Sequence, residues 1–222
     1  MTKQPIRIGF FSSGCWPWLR QTPRNDGRWN NCQYIINTPE AAPFDFVVVY
    51  GAYDHPIPAP ANPARSILLS GEPTSIKRYL PEYAAQFGTV YSADRDMPHP
   101  CRIEKPTGLP WHYGIPTAFP ERYDDSLTYA QIAERPVPAK SRTISVICSS
   151  KAFTETHRQR LAFVESLKAL MGDELEVYGR GFRDFTDKAE IIDPFRYHIA
   201  LENNAHENFF TEKITDTYLG HA

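Results

Sequence analysis

The segment that most narrows the fold is Asp45-Phe-Val-Val-Val-Tyr50, an unbroken apolar run rich in β-branched side chains. With no polar face to turn toward water, such a strand needs cover on both sides, which a parallel sheet flanked by helices provides. Residues 6–11 and 66–70 repeat the pattern and run into turn residues, Ser12-Ser13-Gly14 after the first and Gly71-Glu72-Pro73 after the second. Residues 76–87 read as a short helix despite Pro81, and 89–91 as a further strand. Strands alternating with helices predict an α/β layer fold.

Residues 92–138 lose this periodicity and are rich in Pro, Gly and His, with a helix expected only around 126–134. Arg135-Pro-Val-Pro138 cannot continue that helix and marks the expected boundary between a domain of residues 1–138 and one of residues 139–222. The second half restarts with a strand at 143–148 and the turn Ser149-Ser150. A helix is predicted over 154–171, with Thr154 or Thr156 as N-cap and Leu161, Val164, Leu167 and Leu170 at helical spacing. Strands at 175–178 and 197–201, the latter read as buried, and a helix over 210–219 complete the pattern.

Composition removes several function classes. A chain of 222 residues can bury a real core, but its formal charge of −2 supplies no basic field for nucleic acid or an anionic membrane. Any phosphate binding therefore falls to a few local groups. Cys15, Cys32, Cys101 and Cys148 form no CxxC pair and no His stands at metal-ligand spacing, so they read as reduced, mostly buried thiols. No apolar run reaches the length of a signal peptide or a membrane span, so the expectation is a soluble, cytoplasmic protein without a transmembrane segment. Aromatic residues make up 13% of a chain with 20 prolines, which implies rigid, irregular connections. Trp16, Trp18, Trp29, Trp111 and Tyr113 are expected to anchor them, with sugar-stacking walls as the alternative.

The chemistry concentrates in Tyr197-His-Ile-Ala-Leu-Glu-Asn-Asn-Ala-His-Glu-Asn-Phe-Phe-Thr-Glu-Lys213, which reads as a strand, a polar loop and a helix start. Ligands of open α/β sheets lie beyond the carboxyl ends of strands, where free helix N–H groups favour phosphate. Thr211 suits the N-cap, which places Glu212 and Lys213 in the first turn. A Lys there opposes the helix dipole unless its ammonium offsets a bound diphosphate; an ordinary solvated first turn is the other reading. His198, inside the predicted strand, is expected to be a satisfied core or cleft group. Asp94-Arg95-Asp96 has the spacing of metal-binding carboxylates, but so short a pattern arises often by chance, and it is not read as a metal site.

Three ordered blocks carry a family resemblance. Glu202-Asn203 and Thr211-Glu212-Lys213 keep the residues and spacing of the signature of family-10 fucosyltransferases. Val177-Tyr178-Gly179-Arg180-Gly181 looks like that family's strand and glycine turn, and Arg160, Phe163 and Leu167 like its Arg-x-x-Phe-x-x-x-Leu helix. Phe209 stands where the family usually has Tyr, which keeps packing but removes a hydroxyl bond. In the first half, Ser70-Gly71-Glu72 resembles the family's Gly-Glu element.

The resemblance implies a GT-B-like α/β protein, two Rossmann-type domains facing a cleft, the C-terminal one incomplete because the chain stops soon after the Thr-Glu-Lys helix begins. It implies an α-1,3/1,4-fucosyltransferase that moves fucose from GDP-fucose to a glycan hydroxyl with inversion. Glu72 would be the general base; Arg160 and Lys213 would grip the diphosphate; Asn203, Phe209 and Glu212 would complete the donor site, with Glu212 on the ribose. No divalent metal or other cofactor is expected, since basic side chains replace the ion. The alternatives are a transferase for another nucleotide sugar and a non-catalytic nucleotide- or carbohydrate-binding relative.

Overall fold

The apolar runs pair as parallel strands. A computed structural model of the chain describes residues 4–72, 76–118, 121–205 and 207–222. Pro73 and His206, which fall inside the quoted motifs, lie outside the described residues. In the first half β1 (Ile6–Ser12), β2 (Arg28–Trp29), β3 (Cys32–Ile36), β4 (Phe46–Tyr50), β5 (Ser66–Leu69), β6 (Thr89–Ser92) and β7 (Arg102–Glu104) form one sheet, in the order β2-β3-β1-β4-β5-β6-β7. Neighbours from β3 to β7 are parallel, and β2 pairs antiparallel with β3. The Val-rich β4 sits mid-sheet, with Val47 and Val49 buried beside Phe11, Phe44, Leu68 and Val90.

The helix expected over 76–87 shrinks to α1 (Pro81–Ala84). Proline disfavours helical backbone in the residue before it, and Leu80 is accordingly extended, with φ −69° and ψ 141°. Pro81 then opens the helix instead of interrupting it. Trp18 is an anchor: its ring packs edge-on against Phe10 and Tyr50, and its Nε1 donates to Ser12 Oγ. The thiols are free, but among them only Cys148 is buried, while Cys15 and Cys101 are exposed, because both of the latter fall in polar loops and not in the sheet.

After α2 (Tyr129–Glu134), a second sheet is built from β8 (Arg142–Ile147), β9 (Leu175–Tyr178) and β10 (Phe195–Ile199), in the parallel order β10-β8-β9. The long helix α3 (Glu155–Met171) is capped by Thr154, whose hydroxyl accepts from His157 N–H at 3.2 Å. Its buried stripe runs through Arg160, Val164, Leu167 and Met171, and packs on Val146, Cys148 and Leu175. Leu170, expected in that stripe, is 84% exposed, since it lies off the line that Arg160 and Val164 define. The strand read as buried at 197–201 is instead the sheet-edge strand β10, with Tyr197 62% exposed. Next along the chain from β9, α4 (Lys188–Ile192) is capped by Asp187, and α5 (Glu212–Leu219) follows β10 with Thr211 as N-cap.

Contacts divide the chain into two units. One comprises Met1–Leu109, Thr128–Ala130 and His206–Phe209; the other Pro110–Leu127, Gln131–Ala205 and Phe210–Ala222. The stretch Pro110–Leu127, placed by sequence in the first domain, thus packs with the second. Its backbone is tied there by carboxylates: Asp216 Oδ1 accepts from His112 N–H (2.7 Å) and Tyr113 N–H (2.9 Å), and Asp187 Oδ1 from Gly114 N–H (3.0 Å). Tyr113, fully buried, joins Ile132 and Ile192 in a small core. These ties link residues 73 to 104 positions apart, so local composition could not reveal them.

The turn after β9 depends on Gly179, whose φ is 114° and where a Cβ would stand 2.5 Å from the Cys148 carbonyl oxygen. Gly179→Ala should lower the unfolding free energy by about 2 kcal/mol, from overpacking against backbone and a left-handed φ. Urea unfolding of the two proteins measures this, and an unchanged midpoint would contradict it.

Candidate functional site

The second unit gathers its charged side chains where β10 ends and α5 begins. Glu202, just past the strand, accepts from Thr211 N–H at 2.8 Å and from Thr211 Oγ1 at 2.8 and 3.0 Å. One carboxylate therefore closes the intervening loop and fixes the cap of α5. Thr211 Oγ1 in turn accepts from Lys213 N–H (3.4 Å), as an N-cap does, and from Lys213 Nζ (2.9 Å).

The next residue, Asn203, holds a different cation. Its Oδ1 accepts from Arg160 Nη1, and the Ser149 carbonyl accepts from Arg160 Nη2 at 3.2 Å. Arg160 is 7% exposed, yet both partners are neutral, its Nε is buried without an acceptor, and no carboxylate pairs with it among the described residues. A buried charge without a counter-ion is costly, so Arg160 is poorly compensated by the contacts the fold itself supplies. Arg158, two residues earlier, is the ordinary case: it is exposed and paired with Glu155 at 2.7 Å.

Lys213 and Lys188 divide in a similar way. Lys188 Nζ lies 2.5 Å from Asp216 Oδ2 and 3.0 Å from Glu212 Oε1, with its side chain 15% exposed. Burial pushes its pKa down, but Asp216 and Glu212 outweigh that and raise it, so it stays charged. Lys213 Nζ is 3.4 Å from Glu212 Oε1 and 3.8 Å from Glu202 Oε2. Charge-assisted N–H···O bonds run near 2.7–2.9 Å, so Lys188 is locked into a structural pair while Lys213 is only loosely compensated. Lys213 is nonetheless folded back, its side chain 21% exposed, which excludes a solvated first turn.

Between these groups lies a cavity of about 110 Å³, lined by Lys188, His198, Glu212, Lys213 and Asp216 against the apolar Ile192. Burial would raise the Glu212 carboxyl, but Lys188 and Lys213 hold it down at about 2, so it enters as a carboxylate. Burial drives the His198 imidazole to about 4, with Lys188 adding to the effect, and its ring bonds to Ser145 Oγ at 2.8 Å. His198 is therefore the neutral cleft group that its place in the strand predicts.

Arg160, Asn203, Glu212 and Lys213 thus belong to one unit and, through Glu202-Asn203, to one connected set of contacts. Glu72 and Phe209 belong to the other unit. Glu72 is exposed just beyond the carboxyl end of β5, where its carbonyl accepts from Ser70 Oγ at 3.2 Å. Burial pushes the Tyr79 phenol up to about 12, with Tyr83 and the Glu72 carboxylate adding to it. Asp94 Oδ1 accepts from Asp96 N–H at 2.8 Å, and Arg95 pairs with Glu104 and Glu207, so the Asp-x-Asp segment is organised as a turn. Among the described residues no three His, Cys, Asp or Glu side chains are grouped as a metal would need, and no helix is long and apolar enough to cross a membrane.

Sequence reasoning missed Lys188, Asp216 and the His112 backbone. Lys188 lies in a stretch that reads as loop, and Asp216 falls inside the helix expected over 210–219 with nothing to single it out. A signal was present: Glu212 and Asp216 are four apart on α5 and share one face, so two carboxylates there ask for a cation.

Residues 137–222 match the model of the C-terminal domain of glycosyltransferase family 10 (fucosyltransferase). No significant match was found among curated proteins or among solved structures.

The half-buried His198 also sets an acid limit. Its folded pKa of about 4 lies below the usual 6.5, so the unfolded chain takes up the proton first as pH falls. The stability it contributes is whole above pH 6.5 and is lost toward pH 4, roughly 3 kcal/mol at most. Urea unfolding from pH 7 to 4 should show wild type losing more stability than His198→Gln; parallel losses would contradict this.

Proposed function

We propose, for a chain whose residues 137–222 are a family-10 fucosyltransferase-type domain, that the reaction is transfer of fucose from GDP-fucose to a hydroxyl of a glycan acceptor, with inversion and α-1,3/1,4 linkage. The observation that carries this reading is Arg160, a buried guanidinium with neutral partners and an unsatisfied Nε. A diphosphate is the anion that would complete it, and GDP is the leaving group whose charge grows as the bond to fucose breaks. Lys213, whose ammonium stands 3.4 and 3.8 Å from its nearest carboxylates, would turn to the same diphosphate. These cations would do what a metal ion does in other transferases, so no metal is required.

In this reading the bond between the fucose anomeric carbon and the GDP oxygen breaks as the acceptor oxygen bonds the opposite face of that carbon. The acceptor's proton passes to Glu72, an exposed carboxylate at a strand's carboxyl end. Asn203 would orient both Arg160 and the donor, Glu212 would accept from ribose hydroxyls, and Phe209 would pack against the donor. The unit built on Met1–Leu109 would serve the acceptor and the unit built on Gln131–Ala205 the donor, as the Rossmann-type domains of a GT-B-type transferase working in the cytoplasm.

Thermal unfolding with a nucleotide panel tests the donor. At a hundredfold excess over Kd, a ligand adds about 2.7 kcal/mol, or roughly 5–10 °C for a chain of this size. GDP and GDP-fucose should raise the melting temperature by that amount, with UDP-sugars inert and Arg160→Ala unresponsive. A chain that responds to UDP-sugars, or to no nucleotide, contradicts the reading. Glu72→Gln should keep the GDP shift and lose release of GDP from GDP-fucose with a glycan acceptor; loss of binding instead would remove Glu72 as the base.

A further inference from the structure

We propose that His198 is a specificity-determining residue whose Nε2 accepts a hydrogen bond from a hydroxyl of the bound nucleotide, an assignment that rests on the nucleotide-sugar reading above. Ser145 is fully buried in β8. Its Oγ lies 3.1 Å from the Ile191 carbonyl oxygen and 2.8 Å from His198 Nδ1. A carbonyl can only accept, so the single hydroxyl proton goes to Ile191. Ser145 then presents lone pairs to the imidazole, and Nδ1 must carry the ring proton.

The consequence falls on the other nitrogen. With the ring neutral and Nδ1 protonated, Nε2 is an acceptor, and the ring makes no further hydrogen bond among the described residues. His198 lines the cavity that Glu212 and Lys213 also line. At about 110 Å³ this space exceeds the roughly 10–15 Å³ that one water needs. A phosphate oxygen, which carries lone pairs and no proton at neutral pH, is repelled by Nε2. A hydroxyl fits, because it carries the proton that an unprotonated ring nitrogen accepts. The same unit therefore sorts its ligand by polarity, with acceptor oxygens drawn to Arg160 and a donor hydroxyl to His198.

Calorimetric Kd values for GDP, 2′-deoxy-GDP, 3′-deoxy-GDP and inosine diphosphate, measured on wild type, His198→Phe and His198→Gln, test this. Wild type should bind one deoxynucleotide about five- to tenfold more weakly than GDP, the worth of one neutral hydrogen bond. His198→Phe should bind GDP weaker by that factor and no longer distinguish it from that deoxynucleotide, and His198→Gln, which keeps an acceptor, should recover part of the discrimination. If His198→Phe discriminates as wild type does, or loses discrimination only against inosine diphosphate, the hydroxyl assignment is overturned while GDP binding stands. If wild type binds no guanine nucleotide, the nucleotide-sugar reading itself falls. Nitrogen-15 NMR of the wild-type imidazole needs no variant to fold: it should show the Nδ1–H tautomer, with Nε2 shifting as GDP is added, and an Nε2–H tautomer overturns the proposal.

Discussion

The second unit depends on one carboxylate. Glu202 takes both the N–H and the hydroxyl of Thr211, closing the loop that follows β10 and capping α5 in the same contact. Hydrogen bonds to a charged group contribute about 1.5–3 kcal/mol each, more than any single cap or turn nearby. Because Asn203 is the next residue, the same strand end also holds Arg160. Two cations from different helices are thereby referred to adjacent positions of one backbone.

Charge compensation then separates structure from function. Lys188 is gripped at 2.5 and 3.0 Å by Asp216 and Glu212, and Asp216 in turn anchors the backbone of residues 112 and 113. Removing either partner would leave a buried charge alone, so this pair belongs to the fold. Arg160 has no carboxylate partner among the described residues, and the carboxylates nearest Lys213 stand 3.4 and 3.8 Å away. Distances and burial show how unequally the fold compensates these basic residues.

The strands were legible because apolar runs have few alternatives: β1, β4, β5, β8 and β9 stand within a residue or two of where the pattern puts them. The short strands β3 and β7, and helix α4, were not, since none shows enough periodicity to rise above loop composition. At residues 76–87, helical composition lost to the steric effect of Pro81. Within the candidate site, Arg160 and Thr211-Glu212-Lys213 were readable from spacing and resemblance. Lys188, the Asp216 anchor and the tautomer of His198 were not, because each is defined by contacts between segments that only the fold brings together.

Under the proposed function, the buried Arg160 guanidinium receives the phosphate oxygens of the donor. A crystal structure of the chain with GDP tests it most directly. The diphosphate should lie within hydrogen-bond reach of the Arg160 guanidinium, with Lys213 Nζ swung away from Glu212 to join it. A nucleotide bound elsewhere, with Arg160 still satisfied by Asn203 and Ser149 alone, would contradict the account.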